Sequence, residues 1–465
     1  MPLEPNERSG QPIAKFESML KTDDIYFFDA EDFQDIIHHY LNNGKIALAK
    51  KAIKIGLQQH TDSVELKLLS IEVMVFENNL EQAEAMLDEL QLIDSNNEEI
   101  FIQRANIYSK KDNHEAAVSL LNHALNLTQD SFDIHSLLGM EYLFMDNFED
   151  AKRNFMMCVS YDEEDYSSLY NVIYCFDMMK KHDEAIEYLN EYIEKEPYSE
   201  IAWHQLGRQH YIVFDYGKAL QAFEYAILID DSFIGAHLEK AKTLEELGHY
   251  EEAIVFYQKT MDLDTATSFA YLRIGKCYEK LKRKNDAIEY YNKTVNEDPL
   301  LDKGWLALAD IFIEHNNFHK ALFYVNKALS IDEDNHLYWH KFAEINLKLN
   351  LFEEAVRAYY KCIGLKDDRL EVYIALADVL HFLGEYHEAI RVLLDAREVY
   401  KDDTEIIYRL AGLHLMVRKD KVACYFMELA LKTDTEDLEL VLKLYPALGD
   451  HEQISFLINK FRSNS

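Results

Sequence analysis

An alanine recurs every 34 residues along most of this chain, twelve times from Ala49 to Ala423, with no insertion or deletion between them. Each of these alanines lies in a segment whose apolar residues are spaced three and four apart, as on one face of an α-helix. Chance does not produce a register that holds over eleven intervals. The chain is therefore predicted to be an array of one repeated structural unit rather than a set of unrelated domains.

Residue size around the alanine predicts two closely packed helices in each unit. With Ala253 taken as position 20, position 8 is small in nine units and position 27 is small in ten, while bulky residues recur at positions 4 and 24. Helices that cross closely need small residues where their backbones meet and large side chains beside them. Turn-prone residues separate the two helices, among them Gly44, Gly248 and Gly384 at position 15.

Two units depart from this pattern at both helix crossings. The second unit has Ile71 and Leu90 at positions 8 and 27, and the fifth unit has Ile173 and Tyr192. Larger side chains at a crossing push the helices apart. We therefore predict a local change of curvature at each of these two units.

The repeated pattern resembles that of the tetratricopeptide repeat (TPR), in which Trp, Leu-Gly and Tyr precede the alanine and a proline ends the unit. It is seen in the segments WHQLGRQH from Trp203, YLRIGKCY from Tyr271 and WLALADIF from Trp305. The linking proline is present only as Pro197 and Pro299. The resemblance covers residues 30–437, twelve tandem repeats. It implies an all-α fold, a TPR-type α-solenoid in which antiparallel helix pairs form a right-handed superhelix.

The two ends of the chain differ from the repeats. Residues 1–12 contain three of the six prolines and are predicted to form a mobile tail. Residues 13–29 are predicted to form a leading helix, with Asp29 as the N-cap that follows it. In residues 438–465, Ile454 arrives three residues too early for the alanine register. This segment is predicted to be a shortened, atypical repeat with a capping helix, as a solenoid requires at its end.

Charge and hydropathy narrow the classes of partner. The 48 basic residues are outnumbered by 84 acidic ones, and the net charge of −36 repels nucleic acid and anionic membranes. The expected partner is another protein that presents a basic or apolar segment. No apolar run reaches the roughly 18 residues that a membrane span needs, and the N-terminus has no secretory pattern. We expect a cytoplasmic protein.

Sequence patterns of catalysis and metal binding are missing. The usual nucleotide-binding, nucleophile and zinc motifs do not occur, so we expect no enzyme activity, no cofactor and no metal site. The five cysteines are scattered, and most recur at repeat positions, where a free cysteine behaves as a small hydrophobe. His336 and His340 are four residues apart on a predicted helix, but no third ligand is identifiable nearby.

Candidate binding residues lie on the first helix of each repeat. The resemblance implies that positions 2, 5, 9, 12 and 13 line a concave groove. Position 5 is never Lys or Arg, so the carboxylate clamp of chaperone-binding relatives is not expected. In the fourth to sixth repeats this stripe carries aromatic, methionine and arginine residues, the composition of a binding hot spot. The candidate peptide-binding residues are Met140, Phe144, Tyr170, Tyr174, Asp177, Met178, His204, Arg208 and Tyr211. Alternatively, these side chains pack against one another inside a tight superhelix.

The leading functional hypothesis is a non-enzymatic scaffold or adaptor that binds a peptide or helical segment of another protein in the concave groove. A second hypothesis is a structural protein that self-associates by stacking end to end. A third is a chaperone-like or regulatory subunit of a larger complex. All three rest largely on analogy with the family.

Overall fold

The computed structural model describes residues 5–22, 26–129, 131–263, 267–434 and 437–462, and within these ranges every regular element is an α-helix. The chain divides into two compact units, Met1–Asp231 and Ser232–Ser465. Each unit contains six of the twelve described helix pairs of the array.

The first helices of the repeats each contain thirteen residues. They are α2 (Ala30–Asn42), α4 (Val64–Phe76), α6 (Glu98–Lys110), α8 (Phe132–Phe144), α10 (Tyr166–Met178), α12 (Glu200–Ile212), α14 (Ile234–Glu246), α16 (Ser268–Lys280), α18 (Asp302–Glu314), α20 (His336–Lys348), α22 (Leu370–Phe382) and α24 (Thr404–Met416).

The second helices follow after short turns. They are α3 (Ile46–Gln59), α5 (Leu80–Ile93), α7 (His114–Leu125), α9 (Phe148–Tyr161), α11 (His182–Lys195), α13 (Tyr216–Ile229), α15 (Tyr250–Leu263), α17 (Lys284–Glu297), α19 (Phe318–Ile331), α21 (Phe352–Gly364), α23 (Tyr386–Val399) and α25 (Asp420–Thr433). Both sets of helices begin at intervals of 34 residues, the spacing of the alanines.

The turn inside each repeat has one backbone conformation throughout the array. The residue at position 15 has a positive φ in all twelve repeats. Gly44, Gly248 and Gly384 adopt this left-handed conformation without steric cost, whereas the other nine repeats place side-chain-bearing residues there. Phe214 is one of these, with a φ of 62°. The turn is therefore set by the helix pair around it as well as by local residue preference.

Small residues at the helix crossings are buried and closely packed. All twelve alanines at position 20 have no solvent exposure. Gly207 at position 8 of α12 lies so close to the buried Phe223 ring of α13 that a Cβ atom there would be 2.5 Å from a ring carbon. Gly275 faces Tyr291 in the same way. The predicted pairing of a small residue with a large ring is thus a feature of the core.

The second and fifth repeats are more loosely paired, as their enlarged crossings suggest. In these two, the helices α4 and α5 and the helices α10 and α11 approach each other at fewer backbone positions than in any other described pair. Beside the fifth repeat, a cavity of about 260 Å³ lies between α9 and α11 and is lined in part by Tyr188 and Tyr192. The accompanying change of curvature stays a prediction.

The N-terminal helix lies earlier in the chain than predicted. Helix α1 spans Pro5–Thr22, so residues 5–12 of the predicted tail are helical, whereas residues 26–28 of the predicted leading helix are not. Residues 1–4 and 23–25 lie outside the described residues. Phe16 of α1 is fully buried, with its ring centroid 6.0 Å from that of Phe28. Asp29 is the N-cap of α2, and its backbone N–H donates to the Asp32 carboxylate at 3.4 Å.

The C-terminal segment consists of three short helices, α26 (Leu438–Leu444), α27 (Ala447–Asp450) and α28 (Glu452–Arg462). Ile454 of α28 is fully buried although it is out of register with the alanines. Tyr445 is also buried and lies against Gly412 of α24. The apolar end of the last full pair is therefore covered by a segment of different geometry.

Candidate functional site

Five exposed aromatic and methionine side chains lie on two consecutive first helices, α8 and α10. Their exposed fractions lie between 38% and 58%. We call this set the aromatic patch: Met140, Phe144, Tyr170, Tyr174 and Met178. All five occupy stripe positions 5, 9 and 13.

The helix α10 carries both exposed apolar residues, which belong to the aromatic patch, and buried apolar residues. On α10, Leu169, Val172 and Ile173 are buried between the neighbouring helices. Tyr170 and Tyr174, one turn apart, remain exposed. The helix therefore still exposes apolar surface after its buried residues have packed against the neighbouring helices.

Neighbouring helices hold two of the patch rings in place. The ring of Phe144 stacks on His114, the first residue of α7, with a centroid distance of 5.1 Å. His114 Nδ1 lies 2.8 Å from a carboxylate oxygen of the buried Glu141 on α8. The ring of Tyr174 meets the edge of Phe148 at 6.4 Å. These contacts preorganise the surface, which lowers the entropic cost of binding.

Asp177 supplies the one carboxylate among the candidate residues. It accepts a hydrogen bond of 2.8 Å from Gln209 Nε2, and Gln209 Oε1 lies 3.0 Å from His182 Nδ1. Gln209 is fully buried, and the Asp177 side chain keeps 26% of its surface exposed. The network joins α10, α11 and α12 and fixes an acidic group beside the aromatic patch.

The candidate residues on α12 are less accessible than predicted. His204 is only 8% exposed, since its ring packs 5.9 Å from the ring of Phe223, so its assignment to the exposed stripe is wrong. Arg208 is half-buried and donates to Gln205 Oε1 at 3.2 Å. Tyr211 is half-buried against Tyr216. The alternative that these side chains pack within the array describes α12 better than α8 or α10.

Two contributors were missed because only first-helix positions were considered. Met145, directly after α8, is 37% exposed and extends the patch. His114 belongs to a second helix, α7, and its ring stacks on the ring of Phe144. The signal for Met145 was its position next to Phe144, at a turn where an apolar residue is not needed for the core.

Structural surroundings are seen for two cysteines and one histidine, namely Cys175, Cys277 and His336. Burial raises the pKa of the Cys175 thiol to about 11 and that of Cys277 to about 12, which disfavours the reactive thiolate. His336 Nδ1 lies 3.0 Å from the Asp367 carboxylate. Among the described residues, no three His, Cys, Asp or Glu side chains come together as a metal site would require. No helix in the described ranges is long and apolar enough to cross a membrane.

The repeats match a known family. Models of the tetratricopeptide repeat match residues 98–131, 167–199, 234–267, 269–300, 302–335, 337–369 and 370–413, together just over half of the chain. The chain therefore belongs to the tetratricopeptide repeat family, and its fold is the TPR-type α-solenoid built from tandem helix pairs.

Individual relatives are distant. The chain is 24% identical over 151 residues to anaphase-promoting complex subunit 3 of Schizosaccharomyces pombe, a match that covers 32% of this chain and 23% of that protein. The chain thus spans about a quarter of the length of that curated relative.

Three solved structures are similar to the chain, all with TM-scores below 0.5. The Cut9–Hcn1 hetero-tetramer of the APC/C is 14% identical, with 87% of this chain and 93% of that chain covered and a TM-score of 0.36. MamA is 20% identical, with 35% and 95% covered and a TM-score of 0.33. YrrB, described as a TPR protein with an unusual peptide-binding site, is 15% identical, with 40% and 95% covered and a TM-score of 0.33.

Proposed function

We propose that this protein is a non-enzymatic interaction scaffold whose aromatic patch binds a segment of another protein. The observation that carries the proposal is the set of five exposed aromatic and methionine side chains on α8 and α10. Clustered, exposed apolar side chains of this kind mark protein interaction sites. Tyrosine and methionine suit such a site because they combine large contact area with adaptable packing.

The surroundings of the patch favour an apolar segment with a basic residue beside it. Asp177 offers a partly exposed carboxylate at the edge of the apolar surface. The net charge of −36 attracts basic partner segments over a longer range. The similarity to one subunit of the anaphase-promoting complex supports a role in which the chain contacts other proteins.

The test compares a patch variant with a matched control variant. The patch variant is Phe144→Ala/Tyr170→Ala/Tyr174→Ala. The control is Met157→Ala/Tyr198→Ala/Leu228→Ala, which removes three large side chains outside the patch that, like those of the patch variant, are each at least 41% exposed. Each full-length protein is used as bait in its native cells, and captured proteins are quantified by mass spectrometry. Circular dichroism checks that all three baits are folded.

We expect the patch variant to lose its specific partner by at least about tenfold, because hot-spot side chains contribute about 1–4 kcal/mol each. The control variant should retain the partner. Equal capture by the patch variant and the wild type would exclude the aromatic patch as the site. Light scattering over a concentration series separates this result from self-association, which requires the mass to grow with concentration.

A further inference from the structure

Helix α3 is basic in a strongly acidic protein. It contains Lys50, Lys51 and Lys54 and no acidic residue, while the whole chain has a net charge of −36. No other described helix has so large an excess of basic residues. Such a local reversal of sign defines where an acidic ligand can approach an otherwise repulsive surface.

The lysines stand at the rim of an apolar groove. The groove has a volume of about 570 Å³ and lies between α3, α4 and the start of α5. Its floor consists of Ile53, Leu57, Val73 and Met74. We call it the lysine-rimmed groove. It is distinct from the aromatic patch, which lies on α8 and α10.

Two of the three lysines make no ion pair with any residue that the structure describes. Lys50 Nζ lies 2.9 Å from the Glu77 carboxylate. Among the described residues, no carboxylate lies within 4.0 Å of the ammonium group of Lys51 or Lys54. The rim of the groove therefore keeps two unneutralised cations beside an apolar floor.

At the equivalent positions of the second repeat, the charged side chains are neutralised by ion pairs. There, the residues equivalent to Lys50 and Lys54 are Glu84 and Asp88. Glu84 pairs with Lys111 at 2.8 Å, and Asp88 pairs with Arg104 at 2.9 Å.

The position that faces Lys54 holds a neutral residue. The position of Arg104 is occupied by Ser70 in the second repeat. Ser70 is buried at the groove and offers no charge to Lys54. Two ion pairs, Glu84–Lys111 and Asp88–Arg104, thus join the second and third repeats, whereas of the equivalent pairs between the first and second repeats only Lys50–Glu77 is formed.

Loose helix pairing accompanies the open groove. Ile71 and Leu90 replace the small residues at the crossings of the second repeat, and α4 and α5 approach each other at fewer positions than most pairs. Met74 is half-buried, and its flexible thioether can adjust to an inserted side chain.

We propose that the lysine-rimmed groove binds an acidic segment of a partner protein that inserts an apolar side chain. Its carboxylates contact Lys51 and Lys54, and its apolar side chain lies on Ile53, Leu57 and Met74. Charge complementarity selects this occupant, since basic segments are repelled by the lysines. Nucleic acid is disfavoured because the rest of the acidic chain repels a long phosphate polymer. The site is independent of the aromatic patch and of its partner.

Fluorescence anisotropy on the full-length protein tests the proposal. The probe is a fluorescein-labelled peptide Glu-Asp-Leu-Phe-Glu-Asp. The comparison peptide is Glu-Asp-Ser-Ser-Glu-Asp, which lacks the apolar side chains. We expect the probe to bind at least about fivefold more tightly than this peptide, and its affinity to fall with salt.

Charge-reversal variants assign the binding to the groove. In Lys51→Glu/Lys54→Glu, the probe should bind at least about fivefold more weakly, because two attractions become repulsions. Lys259→Glu/Lys361→Glu is the matched control, since it makes the same change of charge at two exposed second-helix lysines. Its affinity for the probe should equal that of the wild type.

Three results would overturn the proposal. The first is no binding of the probe to the wild type up to about 1 mM. The second is equal weakening in the control variant, which would mean that only net charge matters. The third is a wild-type dimer in sedimentation that Lys51→Glu/Lys54→Glu abolishes, which would assign the groove to a second copy of this chain.

Discussion

Replacing Gly207 with alanine should destabilise the protein, although alanine is the better helix former. The new methyl carbon would lie 2.5 Å from Phe223 Cε1 and 2.6 Å from Cδ1. Carbon atoms in contact are ordinarily about 3.5–4.0 Å apart, so the buried ring must move by about 1 Å. Overpacking of this size lowers the free energy of unfolding by up to about 3 kcal/mol, whereas the higher helix propensity of alanine raises it by about 1 kcal/mol. We expect a net loss of about 2 kcal/mol.

Two further variants separate the crossing from general helix effects. In Gly207→Ala/Phe223→Leu the ring is gone, and the double-mutant cycle should show a favourable coupling of about 1 kcal/mol or more. The combination already occurs in the third repeat, where Ala105 faces Leu121. Gly364→Ala is the control, because nothing lies within 4 Å of its new methyl group. It should leave stability unchanged or raise it by up to about 1 kcal/mol.

The measurements are urea denaturation followed by circular dichroism and amide hydrogen exchange of α12 and α13. Hydrogen exchange is needed because long repeat arrays do not unfold in one two-state step. The explanation would be refuted if Gly207→Ala stabilised α12, or if Phe223→Leu gave no relief.

Two other predictions concern pH and backbone conformation. Hydrogen bonds from Arg369, with His336 Nδ1 3.0 Å away, hold the pKa of Asp367 at about 2, so its contribution is present above about pH 4 and is lost as the pH falls towards 2. Asp367→Asn should therefore lower the free energy of unfolding by about 1 kcal/mol at pH 5, after allowance for the partly exposed Arg369, and by less at pH 3. An equal loss at both pH values in urea denaturation would contradict this. Phe214→Gly should stabilise the turn by about 0.5–1 kcal/mol, because Phe214 has a φ of 62° and is largely exposed. Gly248→Ala, at a φ of 79°, should have the opposite effect, and thermal melting of both variants checks the signs.

Several features could be read from the amino-acid order because they depend on neighbours along the chain. The alanine register predicted where every helix pair lies, since the small residues of a unit meet within that unit. Gly207 and Phe223 are an example, only sixteen residues apart. The loose pairing of α10 with α11 also follows from the two enlarged residues Ile173 and Tyr192.

Exposure and charge neutralisation were decided by the tertiary structure. Stripe position 5 is exposed at Tyr170 but buried at His204, because a ring from the following helix packs on the latter. Lys54 has no ion-pair partner among the residues that the structure describes, because the facing residue of the next repeat is Ser70. The sequence by itself determined the framework of helix pairs, whose packing is local and periodic. Which residues of that framework remain open to a partner depends on how side chains pack in three dimensions, from the second helix of the same repeat at His204 and from the next repeat at Lys54.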